Sequence, residues 1–155
     1  MKSQQKLLLA KTLPGLRALQ KYAVTVGGGK NHRFNLSDGA MLKDNHIDAA
    51  GGIPAAVAAL RAKLGHMVKL EVETRSLAEV REALEAGADV IMLDNMDCPT
   101  MAEAVKLAAG RALLEASGGI TDETLRAVAE TGVDIISIGA LTHSVKALDI
   151  SMKIR

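Results

Sequence analysis

The sequence predicts an α/β fold: a parallel β/α barrel, TIM-like but short or open, with about six β/α units. Three observations carry this expectation. Short apolar runs alternate with amphipathic stretches along the chain, the pattern of strands buried on both faces and joined by crossover helices. One connection recurs: Glu85-Ala86-Gly87-Ala88-Asp89-Val90-Ile91 reads against Glu130-Thr131-Gly132-Val133-Asp134-Ile135-Ile136. Each is a helix end, a glycine turn and the entry into an apolar strand, as a crossover helix requires when it must stop and reverse within a few residues. Finally, the chain is 48% hydrophobic but only 1% aromatic. Its core must come from Ala, Val, Ile, Leu and Met, which suits layered α/β units better than a β-sandwich. A doubly wound sheet is the alternative arrangement of the same units, but no G-x-G-x-x-G follows a strand, which weighs against a dinucleotide fold.

Taken in order, the predicted strands are Leu7–Ala10, Ala40–Leu42, Val68–Val72, Val90–Leu93, Ala112–Glu115 and Ile135–Ile138, each short, apolar and bounded by polar residues or glycine. Between them fall helices. Pro54–Leu64 opens with proline in its first turn. Ser76-Leu77-Ala78-Glu79 is a capping-box pattern and starts a helix that runs to Glu85. Pro99–Ala109, Thr121–Glu130 and Thr142–Met152 complete the set. The segment Val24–Gly39, with Gly27-Gly28-Gly29-Lys30-Asn31-His32-Arg33, is long and polar for a connection inside a compact domain, and such loops are commonly functional. Residues 1–155 are read as a single domain.

The bulk numbers exclude some functions. A net charge of +1 is too balanced for nucleic acid or an anionic membrane surface, so any anion site must be local. The lone Cys98, beside Pro99 in a predicted loop, allows no internal disulfide and reads as an inert thiol in a reducing, cytoplasmic setting. No apolar run approaches the ~20 residues of a membrane span, and the start, Met1-Lys2-Ser3-Gln4-Gln5-Lys6, has no signal-peptide hydrophobic region.

The chemistry collects where strands end. The first is followed by Lys11, the second by Lys43, Asp44, Asn45 and His46. The third carries Glu71 and Glu73, the fourth ends at Asp94 and Asn95, the fifth gives Glu115, Ser117, Gly118 and Gly119, and the sixth Gly139. Active sites of β/α barrels are built on this edge, and charge directly after buried apolar residues is costly unless paired or used. Lys11, His32, Arg33 and Lys43 can pair with carboxylates or phosphates. Glu73 and Asp94, on adjacent strands, can hold Mg²⁺ through water, and Glu71 shares their strand face one layer deeper. Ser117-Gly118-Gly119 lets backbone N–H groups approach an anion, with Thr121 placed to cap the next helix, and Gly139-Ala140 can do the same. His143 reads as a helix-start residue, and the scattered methionines as core filler.

Several of these stretches also resemble quinolinate phosphoribosyltransferase, a family also called nicotinate-nucleotide pyrophosphorylase (carboxylating). They are Lys11-Thr12-Leu13-Pro14-Gly15-Leu16-Arg17, Lys21-Tyr22-Ala23-Val24, Gly27-Gly28-Gly29 with Asn31-His32-Arg33, and Leu42-Lys43-Asp44-Asn45-His46-Ile47. Glu71-Val72-Glu73, Met92-Leu93-Asp94-Asn95, Ser117-Gly118-Gly119 and Gly139-Ala140-Leu141-Thr142 continue the series to the end of the chain. The resemblance implies a transferase that makes nicotinate mononucleotide, pyrophosphate and CO2 from quinolinate and phosphoribosyl pyrophosphate, with Mg²⁺, for NAD synthesis. It implies that Lys11, His32, Arg33 and Lys43 face the quinolinate carboxylates and the pyrophosphate. Glu73 and Asp94 would lie near the ribose and the metal, while Ser117, Gly118, Gly119 and Gly139 would hold the 5′-phosphate. Two positions depart from the family: Ala10 stands where it has arginine and Leu9 where it has threonine. The family's N-terminal domain, which packs across a dimer and lends an arginine to the partner's site, is expected to be missing. The expectation is therefore a barrel domain, truncated or engineered, with impaired activity and a homo-oligomeric state of at least a dimer. A non-catalytic scaffold that keeps a phosphate site, and a related enzyme acting on another pyridine or azole acid, are the alternatives.

Overall fold

A computed structural model describes residues 6–8, 11–146 and 148–154. Leu9 and Ala10, and with them the end of the first predicted strand and both departures from the family pattern, lie outside the described residues. Six strands form one sheet: β1 (Lys6–Leu8), β2 (Ala40–Leu42), β3 (Leu70–Thr74), β4 (Val90–Asp94), β5 (Leu113–Ser117) and β6 (Ile135–Ser137). Their order is β1-β6-β5-β4-β3-β2, and every pairing is parallel. From β2 to β6 the order never reverses, so the sheet has no switch point and the doubly wound alternative falls away. The strands curl into an open barrel whose seam lies between β1 and β2.

The pleat separates two chemistries. Leu70, Val72, Ile91, Leu93, Leu114, Ala116 and Ile136 face outward and are buried with the helices in one core. At about 1.5–3 kcal/mol for a fully buried large aliphatic side chain, this outer layer supplies most of the stability. The alternate positions Glu71, Glu73, Met92, Asp94, Glu115 and Ser117 belong to the inner face. The apolar runs therefore mark the strands by their outer face only. The structure carries β3 on to Thr74, β4 to Asp94 and β5 to Ser117, beyond the predicted ends, because inward polar residues continue the ladder.

The helices are α1 (Arg17–Val26), α2 (Asp44–Ala50), α3 (Ile53–Arg61), α4 (Leu77–Glu85), α5 (Cys98–Ala108), α6 (Asp122–Glu130) and α7 (Ala140–His143). Four answer to predicted helices. Ser76 caps α4, accepting from the Glu79 N–H at 3.2 Å, and Asp97 caps α5, accepting from the Thr100 N–H at 2.9 Å. Cys98 thus opens a helix rather than lying in a loop. Three corrections follow. The first residues of Val24–Gly39 close α1, a helix the apolar pattern does not announce. Helix α2 occupies residues read only as strand-end chemistry. And the helix expected over Thr142–Met152 stops at His143: residues 145–146 and 148–154 carry no regular structure. There Leu148, Ile150, Met152 and Ile154 alternate with polar residues at a spacing of two, which gives a helix no apolar stripe.

The repeated Gly-x-Asp connection has a structural cause. At the start of β4, Asp89 donates its N–H to the Leu70 carbonyl at 3.0 Å, and its Oδ2 accepts the Leu70 N–H at 2.7 Å. Asp134 repeats both bonds with Leu114 before β6. Each aspartate clasps the neighbouring strand at its amino end and fixes the register of the pair.

Candidate active site

At the carboxyl ends of the strands the barrel opens into two overlapping hollows. One, of about 560 Å³, is lined by Lys11, Lys43, Glu73, Asp94, Ser117, Gly118, Gly119 and Gly139. The other, of about 520 Å³, shares Lys11, Lys43, Glu73, Asp94 and Ser117 and adds Arg17, His32 and Arg33. The ten residues given substrate, phosphate or metal roles from the sequence (Lys11, His32, Arg33, Lys43, Glu73, Asp94, Ser117, Gly118, Gly119 and Gly139) therefore border these overlapping hollows, while Glu71 lies deeper, beside His32. Lys43, half-exposed at the start of α2, reaches Glu73 with Nζ–Oε2 of 3.6 Å. Asp94 ends β4 and accepts from the Asn95 amide at 2.9 Å.

The Ser117-Gly118-Gly119 turn requires its glycines. Gly118 has φ +94° and lies so close to Asn95 that a Cβ there would sit 3.0 Å from the Asn95 backbone nitrogen and overlap its side chain. Asn95 itself takes φ 53°, a conformation asparagine tolerates better than most residues, and its N–H donates to the Ser117 carbonyl at 2.9 Å. The two turns lock together at the mouth of the cavity.

Inside the barrel the charge is concentrated. His32 enters from the loop after α1 with its ring 9% exposed. Its Nε2 lies 3.0 Å from Glu71 Oε2 and 3.7 Å from Glu115 Oε1. These glutamates stand on β3 and β5, which are not neighbours, so their meeting at one imidazole shows how strongly the sheet curls. The Ser137 hydroxyl donates to Glu115. Burial, then the nearby Glu71 charge, push the Glu115 carboxyl up to about 7, against the pull of Ser137 and His32. The hydrogen bond to Glu71 draws the His32 pKa upward despite burial. Lys21, the buried side chain of α1, donates to the His32 carbonyl at 2.9 Å, and desolvation followed by the Arg17 charge lowers its pKa. Arg33 donates to the Gly39 carbonyl at 2.9 Å.

Some lining residues were missed in the sequence. His143, read as a helix-start residue, instead ends α7 and borders the larger hollow, its Nε2 falling 2.8 Å from where a Cβ on Gly139 would stand. Its neighbour Gly139-Ala140 was the available signal. Arg17 and Phe34 border the second hollow, and nothing in their spacing announced it. Arg17 donates to the Phe34 carbonyl at 2.8 Å from Nε.

Comparison with known proteins agrees with this geometry. Residues 5–153 match the family described as quinolinate phosphoribosyl transferase, C-terminal domain. A probable nicotinate-nucleotide pyrophosphorylase (carboxylating) of Bacillus subtilis is 56% identical over 144 residues, 93% of this chain and 50% of the relative. A mitochondrial quinolinate phosphoribosyltransferase (decarboxylating) of Nicotiana tabacum is 51% identical, covering 93% of this chain and 46% of its own length. Among solved structures, NadC from Streptococcus pyogenes superposes with a TM-score of 0.88 at 48% identity, over 98% of this chain and 54% of that one. The nicotinate-nucleotide pyrophosphorylase of Francisella tularensis gives 0.89 at 47% identity, over 95% and 52%. The chain spans about half the length of the curated relatives it matches. Sequence, barrel topology and the lining of the opening thus agree, and the chain belongs to the quinolinate phosphoribosyltransferase family, matching its C-terminal domain.

Proposed function

We propose that this barrel transfers a phosphoribosyl group from phosphoribosyl pyrophosphate to quinolinate with loss of CO2, giving nicotinate mononucleotide for NAD synthesis. One observation carries the reading: a single opening at the strand ends sets Lys11, Lys43 and Arg33 against Glu73 and Asp94, beside the Gly118-Gly119 turn. The cations bind and orient the pyrophosphate and the substrate carboxylates. Glu73 and Asp94 supply negative charge where an oxocarbenium ion develops at the ribose as pyrophosphate leaves. Ser117, Gly118, Gly119 and Gly139 receive the 5′-phosphate, with positive φ at Gly118 and Gly119 bringing backbone N–H groups close to an anion. His32 belongs to the wall of the acid pocket.

Mg²⁺ fits the donor set. Glu73 and Asp94 line one open cavity, and the tight cluster of metal-capable side chains among the described residues lies elsewhere, at His32, Glu71 and Glu115. A pair of carboxylates with room around it suits an ion that keeps several waters and takes phosphate oxygens. When bound, it would neutralise charge on the pyrophosphate. The reading includes a homo-oligomer, no nucleic-acid or membrane partner, and a cytoplasmic setting. No helix among the described residues is long and apolar enough to cross a membrane.

The test is calorimetry of phosphoribosyl pyrophosphate with Mg²⁺ on the folded chain, beside quinolinate-dependent CO2 release. Binding is expected, weakened about tenfold or more in Lys43→Ala by loss of a charge-assisted pair. Release of CO2 by this chain alone is expected to be slow. A folded chain that binds neither phosphoribosyl pyrophosphate nor inorganic phosphate would leave a non-catalytic scaffold as the reading.

A further inference from the structure

We infer that His32 is a positioning residue rather than a substrate contact, and that Glu71 is the anchor that makes it one. The inference rests on the phosphoribosyl-transfer reading and deepens it by assigning how the loop that carries Arg33 is held. Both ring nitrogens of His32 are committed to the protein. The Arg33 backbone N–H donates to Nδ1 at 2.8 Å, and Nε2 lies 3.0 Å from Glu71 Oε2. A nitrogen that accepts carries no proton, so in the neutral ring the proton sits on Nε2 and is donated to Glu71. No ring nitrogen is left for a substrate carboxylate.

A metal ion held by His32, Glu71 and Glu115, whose candidate ligand atoms lie within 4.8 Å of one another, is the competing use of the same side chains. The Arg33 N–H argues against it. A metal on Nε2 would leave the ring proton on Nδ1, facing that N–H donor to donor. The geometry of an accepting Nδ1 and a donating Nε2 matches a pinned loop.

What is pinned is the backbone of residues 32–34. Lys21 Nζ donates to the His32 carbonyl at 2.9 Å, Arg17 Nη2 to the Arg33 carbonyl at 3.1 Å, and the Phe34 N–H to Asp38 at 2.7 Å. Helix α1 thus grips the carbonyls while the His32 ring reaches across to β3. Between them the loop fixes where the Arg33 guanidinium meets the cavity. The second oxygen of Glu71, Oε1, is buried without a hydrogen-bond partner among the described residues, so the bond from His32 to Oε2 offsets the burial of this carboxylate.

The primary test is ¹⁵N NMR, at pH 8, of the chain labelled at histidine and arginine. A His32 ring protonated at Nε2 with an accepting Nδ1 is expected, and a proton on Nδ1 overturns the inference. Titration with quinolinate gives the second test. The Arg33 side-chain signals are expected to move while the His32 ring nitrogens hold still. Ring-nitrogen shifts that saturate with those of Arg33 would show direct contact and also overturn it. If quinolinate binds nowhere, the phosphoribosyltransferase reading of the acid pocket fails, and the tautomer decides the positioning role alone. Glu71→Gln keeps an acceptor oxygen for Nε2–H and is expected to hold both the tautomer and the affinity within about threefold, whereas Glu71→Leu loses about tenfold or more. Equal losses in the two variants would count against an anchoring role.

Discussion

Glu115 sits where ionisation is disfavoured. It is 1% exposed, close to Glu71, and its carboxyl is pushed from an ordinary 4.5 up to about 7. A raised carboxyl pKa means that the folded protein holds this proton more tightly than the unfolded chain does. The associated stability is fully present below pH 4.5 and is lost as pH rises through about 7. His32, also raised, acts in the same direction: its contribution is present below 6.5 and fades as pH climbs through its folded value. Thermal unfolding of the wild-type chain should therefore show stability falling between about pH 5 and pH 8, by up to roughly 3 kcal/mol from Glu115. Glu115→Gln, neutral throughout and still able to accept from Ser137, should flatten most of that slope. A variant with the same slope as wild type would remove Glu115 as its origin.

Elements were legible where local chemistry and the apolar period agreed. Ser76 announced α4, and the Gly-x-Asp repeat announced the entries to β4 and β6 because one aspartate clasp is used twice. Ser76→Ala should accordingly cost about 1 kcal/mol in denaturant unfolding, by freeing the Glu79 N–H. A change below a few tenths would mean that Glu79, whose carboxylate accepts the Arg75 N–H at 2.6 Å, carries the helix start by itself. Helix α1 was not legible because its polarity is inverted: Lys21 is its buried residue, while Leu19, Tyr22 and Val26 are exposed. Burial of that lysine makes sense only once the loop at residues 31–34 is known to need its ammonium group. The candidate site was legible residue by residue because charge after an apolar strand is rare without a use. The depth of His32, and its pairing with two strands that are not adjacent, depends on barrel curvature, which strand spacing in the sequence does not encode.

At the scale of the molecule, the inward polar face and the outward apolar face of one sheet explain how a small barrel combines a stable shell with a charged interior. The same accounting leaves apolar surface over. Leu13, Leu16, Leu19, Ala23, Val24, Leu141 and Val145 line an apolar hollow of about 720 Å³ on the α1 side, and Leu148, Ile150, Met152 and Ile154 are each more than 80% exposed. Exposed apolar surface of this kind drives association in water. The chain should sediment as a dimer or larger species at micromolar concentration, as expected from the sequence. Leu19→Lys together with Tyr22→Lys places charge on the exposed face of α1 without touching the buried Lys21, and should shift the chain toward monomer with its circular dichroism unchanged. Sedimentation of the wild-type chain as a monomer at several hundred micromolar would show that this surface does not associate with itself. Dissociation should also leave the His32–Glu71 pair intact, since both residues lie within one barrel.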